Sequence, residues 1–293
     1  MRGGLVALAA VAIAIAGCGG SSDSTERSSR LVDFSKKPPF VNSLERDPSG
    51  GFLLTTNRGF FHIDPEDDAV RRVRGSLTVR GKTSTIGTFL ELKSEGGARL
   101  VASGHPDQRT LPQFLGLMRS PDGGKTWRSI SRLGDADLHK IVLKHDRLYA
   151  WDAVLSALIV SDDGGRSFAE HFTPTGLIID FEVDPADRKR VVAATDTELF
   201  RSTDEGEGWR PIVRGQGSRL AWPTAERLYL ASKDGVVQVS DDGGDSFERV
   251  GRVEGEPYKI EAVSADELYM ALSDGTILHT TDGGKGWEEE FRP

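Results

Sequence analysis

The chain carries a single cysteine, Cys18, in 293 residues. One thiol excludes any intramolecular disulfide and leaves no CxxC pair for zinc or redox chemistry. Long apolar runs are also missing. The one extended run, Leu5 to Ala16, is twelve residues, short of the ~20 that a membrane-spanning helix needs. There is no basic surplus: 37 Lys and Arg stand against 45 Asp and Glu, a formal charge of −8. Nucleic-acid binding calls for a concentrated basic surface, so that class of partner is excluded. No glycine-rich loop leads into a helix, no GxSxG elbow is present, and no cysteine can pair with a histidine. Phosphate cradling and Ser or Cys nucleophile chemistry therefore have no motif to rest on.

Runs of Ala, Leu, Glu and Lys are scarce after the first twenty positions, whereas glycine is abundant at 34 residues. With 37% apolar residues, the chain can bury a large core, and the balance favours many short strands joined by turns. An all-β fold is expected.

The N-terminus reads as an export signal: Met1-Arg2 is a short positive start, Leu5 to Ala16 an apolar stretch, and Ala16-Gly17-Cys18 a run of small residues for cleavage. Ile15 to Cys18, IAGC, resembles the bacterial lipobox, which implies acylation of the Cys18 thiol and cleavage just before it. Residues 19 to 30, GGSSDSTERSSR, are small and polar, as suits a tether. The expected organisation is a signal peptide over 1–17, a lipid site and tether over 18–39, and one folded domain over 40–293. The expected location is the outer side of the cytoplasmic membrane or the cell envelope, with the membrane reached through the lipid on Cys18 and the body monomeric.

One phrase recurs five times. SPDGGKTW carries Ser120, Asp122, Gly124 and Trp127; SDDGGRSF carries Ser161, Asp163, Gly165 and Phe168; STDEGEGW carries Ser202, Asp204, Gly206 and Trp209. SDDGGDSF carries Ser240, Asp242, Gly244 and Phe247, and TTDGGKGW carries Thr280, Asp282, Gly284 and Trp287. The starting positions are 41, 41, 38 and 40 residues apart, the length of a four-stranded propeller blade. Three apolar or alternating runs precede the fourth and fifth copies and one follows, so each phrase is the hairpin between the third and fourth strands. Asp and the glycines meet the backbone demands of a tight turn, the Ser or Thr and Asp side chains bond turn amides, and the aromatic packs beneath.

The phrase resembles the Asp-box, or BNR repeat, of sialidases and related β-propellers; the third and fifth copies depart from it at Gly208 and Gly286, where Ser or Thr is usual. In proteins carrying these boxes the turns lie at the outer rim, which implies a structural role for their aspartates. Five boxed units, with an unboxed stretch of the same rhythm from Val41 to Val73, predict six blades of four antiparallel strands. Seven ranks second, because the segment from Arg74 to Thr88 reads as a loop.

The stretch ASGHPDQRTLPQFLGLMRSPDGGKTW, Ala102 to Trp127, with LGDADLHKI and LYAWD after it, is similar to exported bacterial propellers grouped with glycoside hydrolases for their sialidase-like boxes. The HxHGL-like strand common in that family is replaced here by Val41-Asn42-Ser43-Leu44, and the arginine motif of sialidases is absent. Tyr149, Tyr229 and Tyr269 each follow Leu in one apolar strand of a repeat and read as core. A site, if present, belongs near the axis. The polar candidates are His105 and Asp107 in SGHPD, Asp135, Asp137 and His139 in GDADLH, and Asp180 and Glu182 in IIDFEVD. A His and carboxylate cluster of this kind could take a divalent metal; His105 and Asp107 could equally order a loop through side-chain bonds. No cofactor is expected. The expected function is a membrane-anchored binding or scaffold module for a protein or glycan, akin to the non-enzymatic photosystem II assembly propellers; the alternative is a sialidase-like glycoside hydrolase.

Overall fold

A computed structural model describes residues 40–47, 50–67, 69–214 and 218–292. The stretches expected to be a signal peptide, lipid site and tether, Cys18 included, lie outside the described residues. All regular secondary structure among the described residues is strand.

The first blade is β1 (Val41–Arg46), β2 (Phe52–Thr56), β3 (Gly59–Asp64) and β4 (Ala69–Val73), paired in chain order. Next come β5 (Ser76–Val79), β6 (Lys82–Ser94), β7 (Leu100–Pro106), β8 (Leu117–Ser120) and β9 (Thr126–Ser131), a five-stranded sheet closed on itself. Four further four-stranded blades follow. They are β10 (Leu138–Lys144), β11 (Arg147–Asp152), β12 (Ala157–Ser161) and β13 (Ala169–His171); then β14 (Ile178–Val183), β15 (Val191–Thr195), β16 (Glu198–Ser202) and β17 (Arg210–Arg214). After these stand β18 (Ser218–Ala221), β19 (Leu228–Ser232), β20 (Val236–Ser240) and β21 (Glu248–Arg252), and finally β22 (Pro257–Ala262), β23 (Leu268–Leu272), β24 (Ile277–Thr280) and β25 (Glu288–Phe291). The innermost strands neighbour one another around a ring: β1 with β6, β6 with β10, β10 with β14, β14 with β18, β18 with β22, and β22 with β1.

The expectation of six four-stranded blades, or seven, is corrected. There are five four-stranded blades and one five-stranded closed sheet, because the segment after Arg74 is not a loop. Arg80 and Gly81 both take positive φ, 49° and 77°, the conformation of a tight two-residue hairpin turn. That turn joins β5 to the start of the thirteen-residue β6. Thr78 and Thr83 share a hydroxyl bond at 2.7 Å across it, and Leu77 is fully buried. β5 also runs parallel to β9, with Ser76 opposite Thr126 and Leu77 opposite Trp127, so its second edge is covered and no unpaired edge remains to invite association.

Hydrophobic side chains sit between neighbouring units. Six clusters of buried residues form, each drawing on two adjacent sheets. In one of them Val41, Leu44, Phe52, Leu54 and Phe61 of the first blade meet Tyr269, Ala271, Ile277 and Phe291 of the last. The first and last blades therefore close the ring by packing, with no strand exchanged between them. Middle strands are buried on both faces, as in β15, whose VVAAT is buried throughout; strands of this kind read as continuous apolar runs and not as alternations. Tyr149 and Tyr229 are wholly buried and Tyr269 nearly so.

The recurrent turns bond themselves. Ser120 Oγ donates to Asp122 Oδ1 at 2.9 Å and accepts from the Gly124 amide at 2.8 Å. Asp122 Oδ1 takes the Thr126 amide at 2.8 Å, and Trp127 Nε1 donates to the Gly124 carbonyl at 2.8 Å. In the third copy Asp204 receives the Gly208 amide at 2.9 Å but has no hydroxyl at that position to bind. Gly123 and Gly124 take φ of 70° and 86°, which favours glycine. A Cβ on Gly124 would strike the Phe60 ring of the preceding blade. These bonds hold the Asp163 carboxyl well below its ordinary value, chiefly through the Ser167 hydroxyl and amide and the Ser161 hydroxyl.

Ser120 is fully buried, so Ser120→Ala leaves the Gly124 amide without its acceptor. Urea unfolding should show a loss of about 1–3 kcal/mol, the cost of an unsatisfied buried donor.

Candidate functional site

Residues of the innermost strands alternate between the inter-blade core and the ring axis, because successive side chains of a strand point to opposite faces. On β14, Phe181 and Val183 belong to the core cluster shared with β10 to β12, while Asp180 and Glu182 face the other way. Glu45, Glu91, Lys93, Lys140, Lys144, Lys259 and Glu261 of the other innermost strands join them, linked by ion pairs from strand to strand.

Lys140 Nζ lies 2.7 Å from Asp180 Oδ1 and 3.3 Å from Glu182 Oε1, and Lys144 Nζ reaches Glu182 Oε2 at 2.9 Å. Lys144 also donates to the carbonyls of Val183 and Trp222 at 2.8 and 2.9 Å. Lys259 pairs with Glu91 at 2.9 Å. Lys93 bridges Glu45, in a short contact, and Glu261 at 3.2 Å. Asp180 Oδ2 further accepts the Leu220 amide at 3.1 Å. Arg219 donates to the Ile179 carbonyl at 2.9 Å and lies over the Tyr258 ring, itself edge-on to Phe40.

Titration follows from these contacts. Burial alone would raise the Asp180 carboxyl, yet Lys140, Lys259 and Arg219 outweigh it and lower it. Glu182 is lowered likewise, with Lys144 and Lys140 overcoming burial. Lys140 stays above its ordinary value because Asp180 and Glu182 prevail over desolvation. Lys259 goes the other way, since burial outweighs the pull of Glu91. Glu45 is pushed up to about 8 by burial and by the nearby charge of Glu261, which together exceed what Lys93 supplies. Lys93 remains charged, held well above its usual value by Glu261, Glu45 and Glu91 against desolvation.

The remaining candidates lie away from this lattice, at the end of the ring where the innermost strands begin. His105 Nε2 is 2.9 Å from Asp137 Oδ1, and His139 Nε2 is 3.2 Å from Asp137 Oδ2. One carboxylate thus joins the five-stranded sheet to the next blade. Burial would raise Asp137, but the bonds from His105 and His139 hold it well below its ordinary value. Asp107 does not join them: it is exposed and accepts from Thr85 Oγ1 at 2.7 Å. Asp135 stands exposed in the preceding turn. Among the described residues no group of three His, Cys, Asp or Glu side chains is arranged to hold a metal ion.

Sequence reasoning named two of the axial residues, Asp180 and Glu182, and missed the rest. The signal was present in the first strand of the repeats as charges two apart flanked by apolar residues: Glu91-Leu92-Lys93, Asp180-Phe181-Glu182 and Lys259-Ile260-Glu261.

The fold and the charged axis define a β-propeller. No family model matches the chain. Over 146 residues, half of this chain, it is 29% identical to the dispase autolysis-inducing protein of Streptomyces mobaraensis, of which the match spans 37%. Among solved structures, a GH74 xyloglucanase from Xanthomonas campestris superposes with a TM-score of 0.57 and 19% identity over 86% of this chain and 38% of that one. YCF48 bound to a D1 peptide superposes with a TM-score of 0.58 and 15% identity, over 83% of this chain and 94% of that one. Likeness at these identities is a likeness of fold.

Replacing Lys140 by alanine removes the cation nearest to Asp180, which is only 2% exposed. The expected loss of stability is about 3–5 kcal/mol, as for other buried pairs broken on one side. Lys233→Ala, which removes a surface pair with Glu256, should cost no more than about 1 kcal/mol. Paired denaturant titrations compare the two.

Proposed function

We propose that this chain is a binding propeller, exported and held at the membrane by a lipid on Cys18, that takes a protein or glycan on the face where its innermost strands begin. The observation that carries the reading is where five of the six large exposed apolar side chains among the described residues lie, with Val263, just after β22, at the opposite end. Phe40 precedes β1, Val154 and Leu155 sit in the turn from β11 to β12, and Phe172 and Leu177 lie on the connection from β13 to β14. In an up-and-down blade all three places are at the same end of the ring. Phe172 and Leu177 are 70% and 63% exposed, and exposed apolar side chains gathered at one end of a fold are the mark of a binding surface. YCF48, whose structure holds a D1 peptide, gives a precedent of fold for a propeller that takes a peptide ligand. The five recurrent turns read as Asp-boxes of the sialidase-like propellers, and their aspartates are occupied by their own amides and hydroxyls.

The second reading is a glycoside hydrolase, and Glu45 is what favours it. A carboxyl raised to about 8 has the protonation of a general acid near neutral pH, and glycosidases pair such an acid with a carboxylate. Against it stands the pairing of the axis, where Asp180, Glu182, Glu91 and Glu261 each contact a lysine.

Two experiments bear on this. Cys18→Ala should abolish labelling by radioactive palmitate in a bacterial host and move the protein from the membrane to the soluble fraction; retention of label would refute the anchor. The purified protein should show no turnover of aryl glycosides, sialosides or xyloglucan. Hydrolysis that disappears in Glu45→Gln would establish the second reading in place of the first.

A further inference from the structure

At the opposite end of the ring, where the innermost strands finish, lies a cavity of about 230 Å³. Its charged lining is Glu45, Glu182, Glu261, Lys93 and Lys144; Val142, Leu143, Ala221, Trp222, Pro223 and Ile260 make apolar walls. Three carboxylates face two ammonium groups there. Glu182 is satisfied, since it takes Lys144 and also Lys140 from deeper in the axis. The deficit falls on Glu45 and Glu261, which share Lys93 between them. Glu45 is otherwise met by the Ser94 amide at 3.2 Å. The strand paired to it, β2, offers Leu53 opposite, and the end of β18 brings Ala221, Trp222 and Pro223, none charged.

From this geometry we infer that the cavity is a binding site for one alkylammonium group, seated between Glu45 and Glu261 with its hydrocarbon stem along the apolar walls. A cation supplies the missing positive charge, and an ammonium brings three donors to carboxylate oxygens that lack a second cation. The volume sets the size, because drug-sized sites run to about 300–1,000 Å³, leaving room here for a single amine-bearing chain. An anion would find no lysine of the lining that is not already paired with a carboxylate, and a neutral ligand would leave Glu45 dependent on its proton. The amine has two possible sources, a free small alkylamine or the lysine side chain of a partner protein. The inference stands apart from the reading of the opposite face, and either can fail alone.

In the empty site the deficit is met by a proton on Glu45, raised to about 8, so cation and proton compete. Glu45 gives up its proton as pH rises through that value, whereas an alkylammonium stays charged to about 10. Affinity should therefore climb about tenfold per pH unit from 6 towards 8 and then level off. Titration calorimetry of the full chain with n-butylammonium chloride, N-acetyl-lysine methylamide and neutral n-pentanol tests this. Butylammonium should bind at least tenfold more tightly than pentanol and release protons. Equal or tighter binding of the lysine derivative would point to a partner's side chain, weaker binding to a free amine. Glu45→Gln should weaken butylammonium at least tenfold. If that variant misfolds, the pH series on the unaltered protein decides. Absence of saturable butylammonium binding in the millimolar range, or an affinity that stays flat or falls between pH 6 and 8, would overturn the inference.

Discussion

A ring of blades must close where its first and last blades meet, and in this protein Lys93 of the second sheet reaches both sides of that seam. It comes from β6, reaches Glu45 on β1 of the first blade, and reaches Glu261 on β22 of the last. Lys259 of the last blade returns the link to Glu91 on β6. Closure is thus electrostatic at the axis and hydrophobic further out, where Phe52 and Tyr269 meet edge to face with ring centroids 5.0 Å apart. Neither device joins the first and last blades covalently, so closure depends on both. Apolar packing supplies the bulk of the free energy because it scales with buried area. The ion pairs fix register: a one-residue slip would turn Lys93 into the core and an apolar neighbour to the axis.

The charged axis also explains why the pairs come as alternations within a strand. On β6 and β22, which flank β1, glutamate and lysine two residues apart reach across to each other, Lys93 to Glu261 and Lys259 to Glu91, while the two acids of β14 meet the two lysines of β10. Buried ion pairs seldom add net stability over an apolar filling, since desolvation offsets much of the attraction. A narrow axis lined by six strand backbones has little room for apolar packing, however, and long side chains with a polar tip fill it while meeting carbonyls such as those of Val183 and Trp222. The arrangement is balanced along most of its length and short of one cation at the exit cavity. That imbalance is what the raised Glu45 reports.

The propeller was legible in the sequence because its signature is local. A Ser or Thr, an Asp and a glycine two places after it, spaced for one hairpin, carry their own hydrogen bonds, so five copies announce five units without knowledge of what surrounds them. The sheet β5 to β9 was not legible in the same way. Its extra strand rests on Arg80-Gly81, a turn pair less telling than Asn-Gly, and on a parallel pairing of Ser76 and Leu77 with residues some fifty positions later. Long-range pairing leaves no periodic trace. The candidate residues divide along the same line. Asp180 and Glu182 stood out as acids in an apolar strand, whereas Lys93, Lys140 and Lys259 looked like ordinary surface lysines until the ring placed them together.

The histidines show the limit from the other side. His105 and His139 do converge, though on a carboxylate and not on a vacant point between them. Each presents Nε2 to Asp137, and Asp107, the nearest acid in sequence to His105, turns to Thr85. Such an arrangement consumes the donors that a metal site would need to leave free, because a ring nitrogen bonded to a carboxylate must give up that bond before it can ligate. What it provides is a polar clasp between the five-stranded sheet and the blade after it, in addition to the bonds from Arg119 and Ser131 to the carbonyls of Gly164 and Gly165. Asp137 at one end of the axis and Lys93 at the other each join side chains from separate parts of the ring.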